Sequence, residues 1–474
     1  MKSLVEELYK KMTGKTPSEI LALGAHGSNR RYWRVNGEGS GFIAAYNEDV
    51  RENEAFYYYS RSLLQRGVHV PEVYAVSDDR RCYLQQDLGD TTLYMHLLDK
   101  QRNGGGFDAE MLSLYKRVLD DLAAMQTLGR DMDFSYAYPR SDFDNQSIQW
   151  DLNYFKYYFL KLRYVPFDEE LLERDFHTLI DYLLDTDCGF FMYRDFQSRN
   201  IMLVDGVPYY IDFQGGRRGA AQYDAASLLY SAKSNLPEPI RQELLTHYVQ
   251  SLSVRYKIDK EDFLQRFYGY VLIRIMQAMG AYGFRGYYER KDYFLSSIPL
   301  AINNLRTIIE SHALPIEIPH LMQALHFLVN SEESSGQQPV AEGLVVTVSS
   351  FSYKKGVPRD TSGNGGGYVF DCRALPNPGR YPEYRCYTGK DRPVIEFLQG
   401  DEAVEQFLAS VQQLVGASVK KYLERNFTSL TVSFGCTGGQ HRSVYCAERL
   451  AKWLLENFNC QVVVNHVEQQ QKNT

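Results

Sequence analysis

A chain of 474 residues exceeds what one hydrophobic core, limited to roughly 250–300 residues, can organise, so two domains are expected. Hydrophobic residues at 44%, charged residues at 23% and aromatics at 14% exclude a disordered chain. The net charge of −7 is unevenly spread: from Val340 onward 15 Lys and Arg face 13 Asp and Glu, leaving that part near +2 and the rest near −9. Neither part has the basic character that by itself announces nucleic-acid binding.

The first residues, MKSLVEELYKKMTGKTP, read as a short amphipathic helix without an apolar signal core. No segment approaches the roughly 18 apolar residues of a membrane span. A cytoplasmic protein with no membrane association is expected. Seven cysteines without a C-x-x-C pair fit a reducing compartment and imply no structural metal. RYWRV, GFIAAY, VYAV and CYLQQDL read as short strands, with a helix around RENEAFYYYSRSLLQRG. A small β-rich lobe over about residues 1–90 thus precedes a mostly helical lobe over about 91–330. The helical pattern is interrupted once, by FFMYRDFQSRNIMLVDGVPYYIDF. A polar, breaker-rich linker follows at residues 331–343, and residues 344–474 form the second domain.

Phosphoryl transfer needs a group to receive the acceptor hydroxyl's proton and oxygen ligands for magnesium on the phosphates. Protein kinases place these on a catalytic loop and a following D-F-G. In YRDFQSRNIML, Asp195 precedes Asn200 with the D-x-x-x-x-N spacing, and twelve residues later the strand VPYYIDFQGG delivers Asp212. Two strands between them form a hairpin that brings Asp195, Asn200 and Asp212 to one site. Asp224, in AQYDAASLLY, either braces the catalytic loop or caps its own helix. Two features depart from the kinase pattern: Tyr193 stands where His usually precedes the catalytic pair, and FIAAYNED holds no lysine. Arg30 or Arg31 is the candidate substitute for that lysine.

The stretches GSNRRYWRV, QQDLGDTTL, SDFDNQSIQWDLNYFKYYFL, YRDFQSRNIM and IDFQGGRRGAAQYDAASLL resemble the aminoglycoside phosphotransferase superfamily. They are closer still to the anomeric sugar kinases of cell-wall recycling, which phosphorylate N-acetylmuramate and N-acetylglucosamine at the C1 hydroxyl. The resemblance implies an α+β, bilobal, protein-kinase-like N-terminal domain that uses ATP and Mg2+ on an amino-sugar substrate. Asp195 is then the catalytic base, Asn200 and Asp212 are magnesium ligands, and Ser28, Asn29, Arg30 and Arg31 cover the nucleotide phosphates. A non-catalytic regulatory scaffold and an antibiotic kinase are the alternatives.

In the second domain, LTVSFGCTGGQHRSVYCAERLAKWLLENF reads as a strand, a glycine-rich turn and an amphipathic helix starting near Ser443. Backbone N–H groups at such a helix start cradle an anion. Thr437, Gln440, His441, Arg442 and Ser443 offer side-chain donors, Arg442 as a bidentate fork. Cys436 and Arg442 also fit the C-x5-R spacing of cysteine-dependent phosphatases, although Gly435 stands where those enzymes usually carry His. SFSYKKGVPRD, VFDCRALPNP, YRCYTGKDRPVIEFL and GCTGGQHRSV resemble the C-terminal domain of the RapZ family of RNase adapters. An α/β domain that senses an amino-sugar phosphate, or contacts RNA or a ribonuclease, is implied. Its implied ligand residues are Lys354, Lys355, Arg373, Asn377, Thr388, Gly389, Thr437, Gly438, Gly439, Gln440, His441, Arg442 and Ser443.

Overall fold

The computed structural model describes residues 1–24, 30–37, 41–102, 106–336, 343–358, 367–425 and 427–470. The chain divides into two compact units, Met1–Ser334 and Ser335–Thr474, a division that falls inside the breaker-rich segment 331–343. The helix Pro319–Gly336 runs into that segment, because Ser331, Glu332 and Glu333 carry no breaker and the helix continues until glycine.

The first unit opens with the helix Lys2–Thr13 and a five-stranded antiparallel sheet. Its strands are β1 (Glu19–Leu23), β2 (Arg31–Asn36), β3 (Phe42–Tyr46), β4 (Val73–Val76) and β5 (Cys82–Gln86), in the order β1-β2-β3-β5-β4. Alternate residues of a strand face opposite sides, and both faces are covered. Trp33, Val35, Ala44, Cys82 and Leu84 pack on Val5, Leu8 and Tyr9 of the first helix. Ala45 and Tyr83 join the main core with the helix Val50–Gln65, whose N-cap Asp49 accepts hydrogen bonds from the N–H groups of Arg51 and Glu52. Strand β1 was not expected, since a five-residue apolar run has no periodicity to mark it.

The larger lobe is helical. Helix Ala109–Leu128 packs on Glu238–Arg255, and the long helix Lys260–Tyr282 packs on Asn145–Phe155 and Gln222–Leu229. Between the helices lie two small ladders, β6 (Phe190–Met192) with β9 (Arg217–Gly219), and the hairpin β7 (Ile201–Val204) with β8 (Val207–Tyr210). The hairpin was legible in the sequence; the long-range β6–β9 pair was not.

The second unit is a four-stranded parallel sheet in the order β11-β12-β10-β13, with β10 at Val345–Ser352, β11 at Gly367–Asp371, β12 at Ser429–Cys436 and β13 at Gln461–His466. The helices Glu402–Glu424 and Arg442–Asn457 contribute Val411, Val415, Leu450 and Leu454 to a core with Val346, Val348, Val432 and Phe434. The strands keep their apolar residues for this core: LTVSF alternates, and in LVVTVSSF small Thr and Ser residues break the apolar run. The molecule is therefore a bilobal kinase-like α+β unit followed by a separate α/β unit. Among the described residues no helix is long and apolar enough to cross a membrane.

Candidate functional site

The catalytic-loop residues converge at the mouth of the β7–β8 hairpin. Asn200 donates through Nδ2 to the carbonyl of Asp195 at 2.9 Å and to Oδ2 of Asp212 at 3.3 Å. Gln214 donates to the other oxygen of Asp212 at 2.7 Å. Burial and the neighbouring Asp195 push the Asp212 carboxyl upward, against Gln214, Arg30 and Arg199. Asp212 adopts φ 71° and Arg194 φ 82°, left-handed conformations that non-glycine residues rarely take and that concentrate at functional sites.

The surroundings hold that strain in place. Arg194 donates through Nη2 to both oxygens of Asp151 at 2.6 and 2.7 Å, with its guanidinium over Phe143 and Tyr223. Asp224 accepts from the N–H groups of Tyr193 at 2.7 Å and Arg194 at 2.9 Å. It sits in the first turn of its helix, and the N-cap is Ala221, so of the two expectations for Asp224 the brace is the one observed. Burial pushes its carboxyl up to about 7, although the two N–H donors pull it down. Tyr193, where His was expected, is a packing residue: its ring meets Phe191, Phe196 and Phe213, and its hydroxyl donates to the carbonyl of Ile211. The Asp195 side chain is 44% exposed at the rim, with Arg274 Nη2 3.8 Å from its Oδ1.

Of the loop assigned to the nucleotide, Ser28 and Asn29 lie outside the described residues, and Arg30 and Arg31 separate. Arg30 is 3% exposed, lies 3.4 Å from Glu52 of the helix Val50–Gln65, and places its guanidinium over Phe56. Phe56 in turn stacks on Phe213 at 4.8 Å. Of the two candidates for the missing lysine, Arg31 faces away. As a strand neighbour it falls on the opposite face, is exposed, and reaches Sδ of Met1.

In the second unit the residues assigned to a phosphate ligand gather where β10, β11 and β12 end, since Ser352 pairs with Cys436 and Asp371 with Gly435. Thr437 and Gly438 are exposed, while Gly439 is buried at φ 66°. A Cβ there would lie 2.9 Å from the Ser352 nitrogen, so the turn requires glycine. The donors are aimed differently from the expected cradle. Gly439 N–H points to Sγ of Cys436 at 3.2 Å, and Ser443 Oγ lies 3.1 Å from the same sulfur. Burial raises the Cys436 thiol, but Ser443 and the N–H groups of Ser443, Gly439 and Gly438 outweigh it, so the net shift is downward.

Three predicted ligand side chains serve the protein itself. Gln440 donates to the carbonyls of Arg385 and Tyr387, His441 Nε2 donates to that of Tyr384, and Arg442 Nη1 donates to those of Arg373 and Leu375. The irregular stretch from Arg373 to Tyr387 exposes carbonyls that no ladder satisfies, and these side chains supply the donors. Only Nη1 of Arg442 is taken up in this way, and its Nε is buried without a hydrogen-bond partner. Asn377 caps Gly379, and Thr388 bonds Asp391. Gly389 lies against the start of the helix Arg442–Asn457, its N–H on the Gln440 carbonyl. Lys355 pairs with Glu468 at 2.7 Å, Arg373 forks to Asp371, and Lys354 is exposed.

Sequence reasoning did not find Glu52, Asp151, Arg274 or Glu468. Arg274 carried a usable signal, a lone charge inside the apolar helical run YVLIRIMQAM; the others looked like ordinary surface acids.

Residues 344–470 match the RapZ C-terminal domain. A nucleotide-binding protein of Chromobacterium violaceum is 42% identical over 123 residues, 26% of this chain and 41% of that protein. One of Acidobacterium capsulatum is 44% identical over 114 residues, 24% of this chain and 36% of that protein. The chain thus spans about two fifths of the length of the curated relatives it matches. Among solved structures, an amicoumacin kinase complexed with AMP-PNP, Ca2+ and Ami aligns with TM-score 0.48 and 12% identity over 68% of this chain and 96% of that one. The choline kinase LicA of Streptococcus pneumoniae aligns with TM-score 0.43 and 14% identity over 65% and 99%. Residues 19–258, more than half of the chain, match the phosphotransferase enzyme family, and with Asp195, Asn200 and Asp212 gathered inside that span the chain belongs to this family.

Proposed function

We propose that the first unit is an ATP- and magnesium-dependent sugar kinase of cell-wall sugar salvage in the cytoplasm. It phosphorylates the C1 hydroxyl of N-acetylmuramate or N-acetylglucosamine, and the second unit senses a sugar phosphate. The observation that carries the reading is the convergence of Asp195, Asn200 and Asp212 on one hairpin. Asp195, at the rim, receives the proton of the acceptor hydroxyl and orients it for attack on the γ-phosphorus. The donor set suits magnesium: a buried carboxylate and a carboxamide are hard oxygen ligands, and two protein ligands suffice for an ion that completes its shell with phosphates and water. Asp212, raised by burial and by Asp195, is the group a cation would relieve. Such an ion, when bound, offsets the charge on the transferring phosphoryl group.

Ala45 lies on the cleft-facing side of β3, the strand where kinases hold a lysine, and Arg30 supports the same task from the start of β2. Its pairing with Glu52 parallels the lysine–glutamate pair that kinases use to hold phosphates. ADP release from the full chain, measured with a panel of free and N-acetylated sugars, tests the proposal. Release that depends on an N-acetylated sugar and yields an anomeric phosphate supports it. Release with no sugar acceptor, or none at all, defeats it.

A regulatory adapter with an inactive kinase scaffold is the second reading, favoured by the absent β3 lysine and by Tyr193. RNA contact through the second unit belongs to that reading, but a charge near +2 gives it little electrostatic support. Retention of a labelled RNA by the full chain, with no turnover of any sugar, would select it.

A further inference from the structure

Immediately after Asp195 the catalytic loop turns into a small cleft. Gln197, Ser198 and Arg199 form one wall, Lys233 another, and Tyr282 and Tyr293 close it. None of the residues lining it is acidic. Lys233 Nζ rests against the ring of Tyr293 and lies 3.3 Å from that residue's carbonyl. Neither Lys233 nor the exposed Arg199 has a carboxylate in ion-pair reach among the described residues. Tyr282 lies close enough to Arg199 and Arg274 to feel both charges, which oppose the rise caused by its burial.

The residues before Val340 carry a net charge near −9, and several of their lysines meet acids. Lys100 pairs with Asp108 and Glu110, Lys116 with Glu243, and Lys156 with Glu169 and Glu173. Two cations lining a cleft next to the catalytic loop, with no acid among its described lining residues, in a unit with acid to spare, mark a place where a ligand supplies negative charge.

We infer that the acceptor sugar carries an anionic substituent, a carboxylate or a phosphate, which Lys233 and Arg199 engage while the reacting hydroxyl lies at Asp195. This inference rests on the kinase reading and narrows its substrate class. The aromatic rings supply an apolar floor for a sugar face, and the cations supply the discrimination. A cationic acceptor is disfavoured, because a positive group in the cleft would face Arg199 and Lys233 together.

The test uses the full chain with matched acceptors: glucose, glucuronate and glucose 6-phosphate as one set, N-acetylglucosamine and N-acetylmuramate as another, and glucosamine as the cationic member. Binding is measured by titration calorimetry and turnover by ADP release. The anionic member of a set is expected to show a lower dissociation constant and KM by at least about tenfold, the scale of one charge-assisted hydrogen bond. The advantage should shrink as salt rises and collapse in Lys233→Gln. The salt series on the unmodified protein keeps the test intact if that variant folds poorly. The carboxylate and phosphate arms show which anion fits. Equal affinity across a set, preference for glucosamine, or no binding of any member overturns the inference. Binding with the expected preference that Lys233→Gln abolishes, but without ADP release, leaves the anion site standing and removes the kinase reading instead.

Discussion

In the first unit carboxylates crowd together, with Asp195 at the rim, Asp212 buried behind it and Asp224 buried beneath the catalytic loop. At the end of β12 the reverse holds, and hydrogen-bond donors crowd around one sulfur. The first arrangement is unbalanced without a cation: Asp212 is raised by its like-charged neighbour, and the backbone at Arg194 and Asp212 is held in rare conformations. The second is balanced from within, since the N–H groups of the turn already have an acceptor in Cys436. A site of the first kind is completed by its ligands. A site of the second kind must exchange an internal partner for an external one. Motif spacing identifies both as anion-handling places but does not reveal this difference.

The kinase side of the comparison breaks most sharply at its reacting carboxylate. Asp195→Asn should lower turnover by at least about 100-fold, the scale of general-base contributions, with nucleotide affinity little changed. Steady-state kinetics beside a titration of nucleotide checks it, and full activity in the variant would refute the assignment of the base. Asp212→Ala should instead remove magnesium-dependent nucleotide binding, read by titration with and without the metal, while the second unit keeps its fold.

Beneath the loop, Asp224 predicts a pH effect. Its carboxyl is raised to about 7 from 3.8, so the folded state holds a proton that the unfolded chain gives up near 3.8. The associated stability is fully present below that value and is lost as pH rises through about 7. Urea midpoints measured across this window should fall with pH, and Asp224→Asn should flatten that part of the slope. Asp224→Ala is more severe, because the N–H groups of Tyr193 and Arg194 lose their acceptor at roughly 1–3 kcal/mol each. Hydrogen exchange at those two amides should accelerate in the alanine variant, and unchanged exchange would show that the loop is held by other contacts.

How much of this was legible follows the range of the interactions. The hairpin that joins Asp195, Asn200 and Asp212 is local, so spacing sufficed. The strand–turn–helix at Cys436 is local too, and its elements were read correctly. The partners that lie far along the chain were not legible: Glu52 against Arg30 and Asp151 against Arg194 became fixed only when separate elements packed, although the brace was already one of two readings for Asp224. The destinations of Gln440, His441 and Arg442 were missed for a related reason. A polar side chain near a glycine turn looks like a ligand group until the unsatisfied carbonyls of Arg373 to Tyr387 are placed beside it. The separation of Arg30 from Arg31 needed only strand alternation, and that signal was present in RYWRV.

A moderate effect is expected at Arg30, where Arg30→Met should raise the KM for ATP by about tenfold, the scale of one hydrogen bond to a charged group, and Glu52→Gln should do the same through loss of positioning. Arg31→Met, on the opposite face, should leave KM unchanged, and an equal effect at both arginines would remove the distinction drawn between them.

The smallest effect sharpens the other half of the comparison. The thiol of Cys436 is held below its ordinary value of 9.0, so the folded state loses that proton earlier than the unfolded chain. The resulting stabilisation is present above 9.0 and is lost as pH falls through the folded value. The same thiolate competes with any external anion for the N–H groups of Gly438, Gly439 and Ser443. Binding of glucose 6-phosphate should therefore weaken as pH rises toward 9.0, above the second ionisation of the phosphate at about 6. Cys436→Ser should abolish that pH dependence and bind the sugar phosphate at least as tightly as the unmodified chain, because a neutral hydroxyl leaves the donors available. Arg442→Ala should weaken binding indirectly, by freeing the carbonyls of Arg373 and Leu375 and loosening the turn. Calorimetric titration of the three proteins across this pH range is run beside a phosphate-release assay. A flat pH profile in the unmodified chain would show that the thiol does not compete, and phosphate release that disappears in Cys436→Ser would make the sulfur a nucleophile rather than an internal partner.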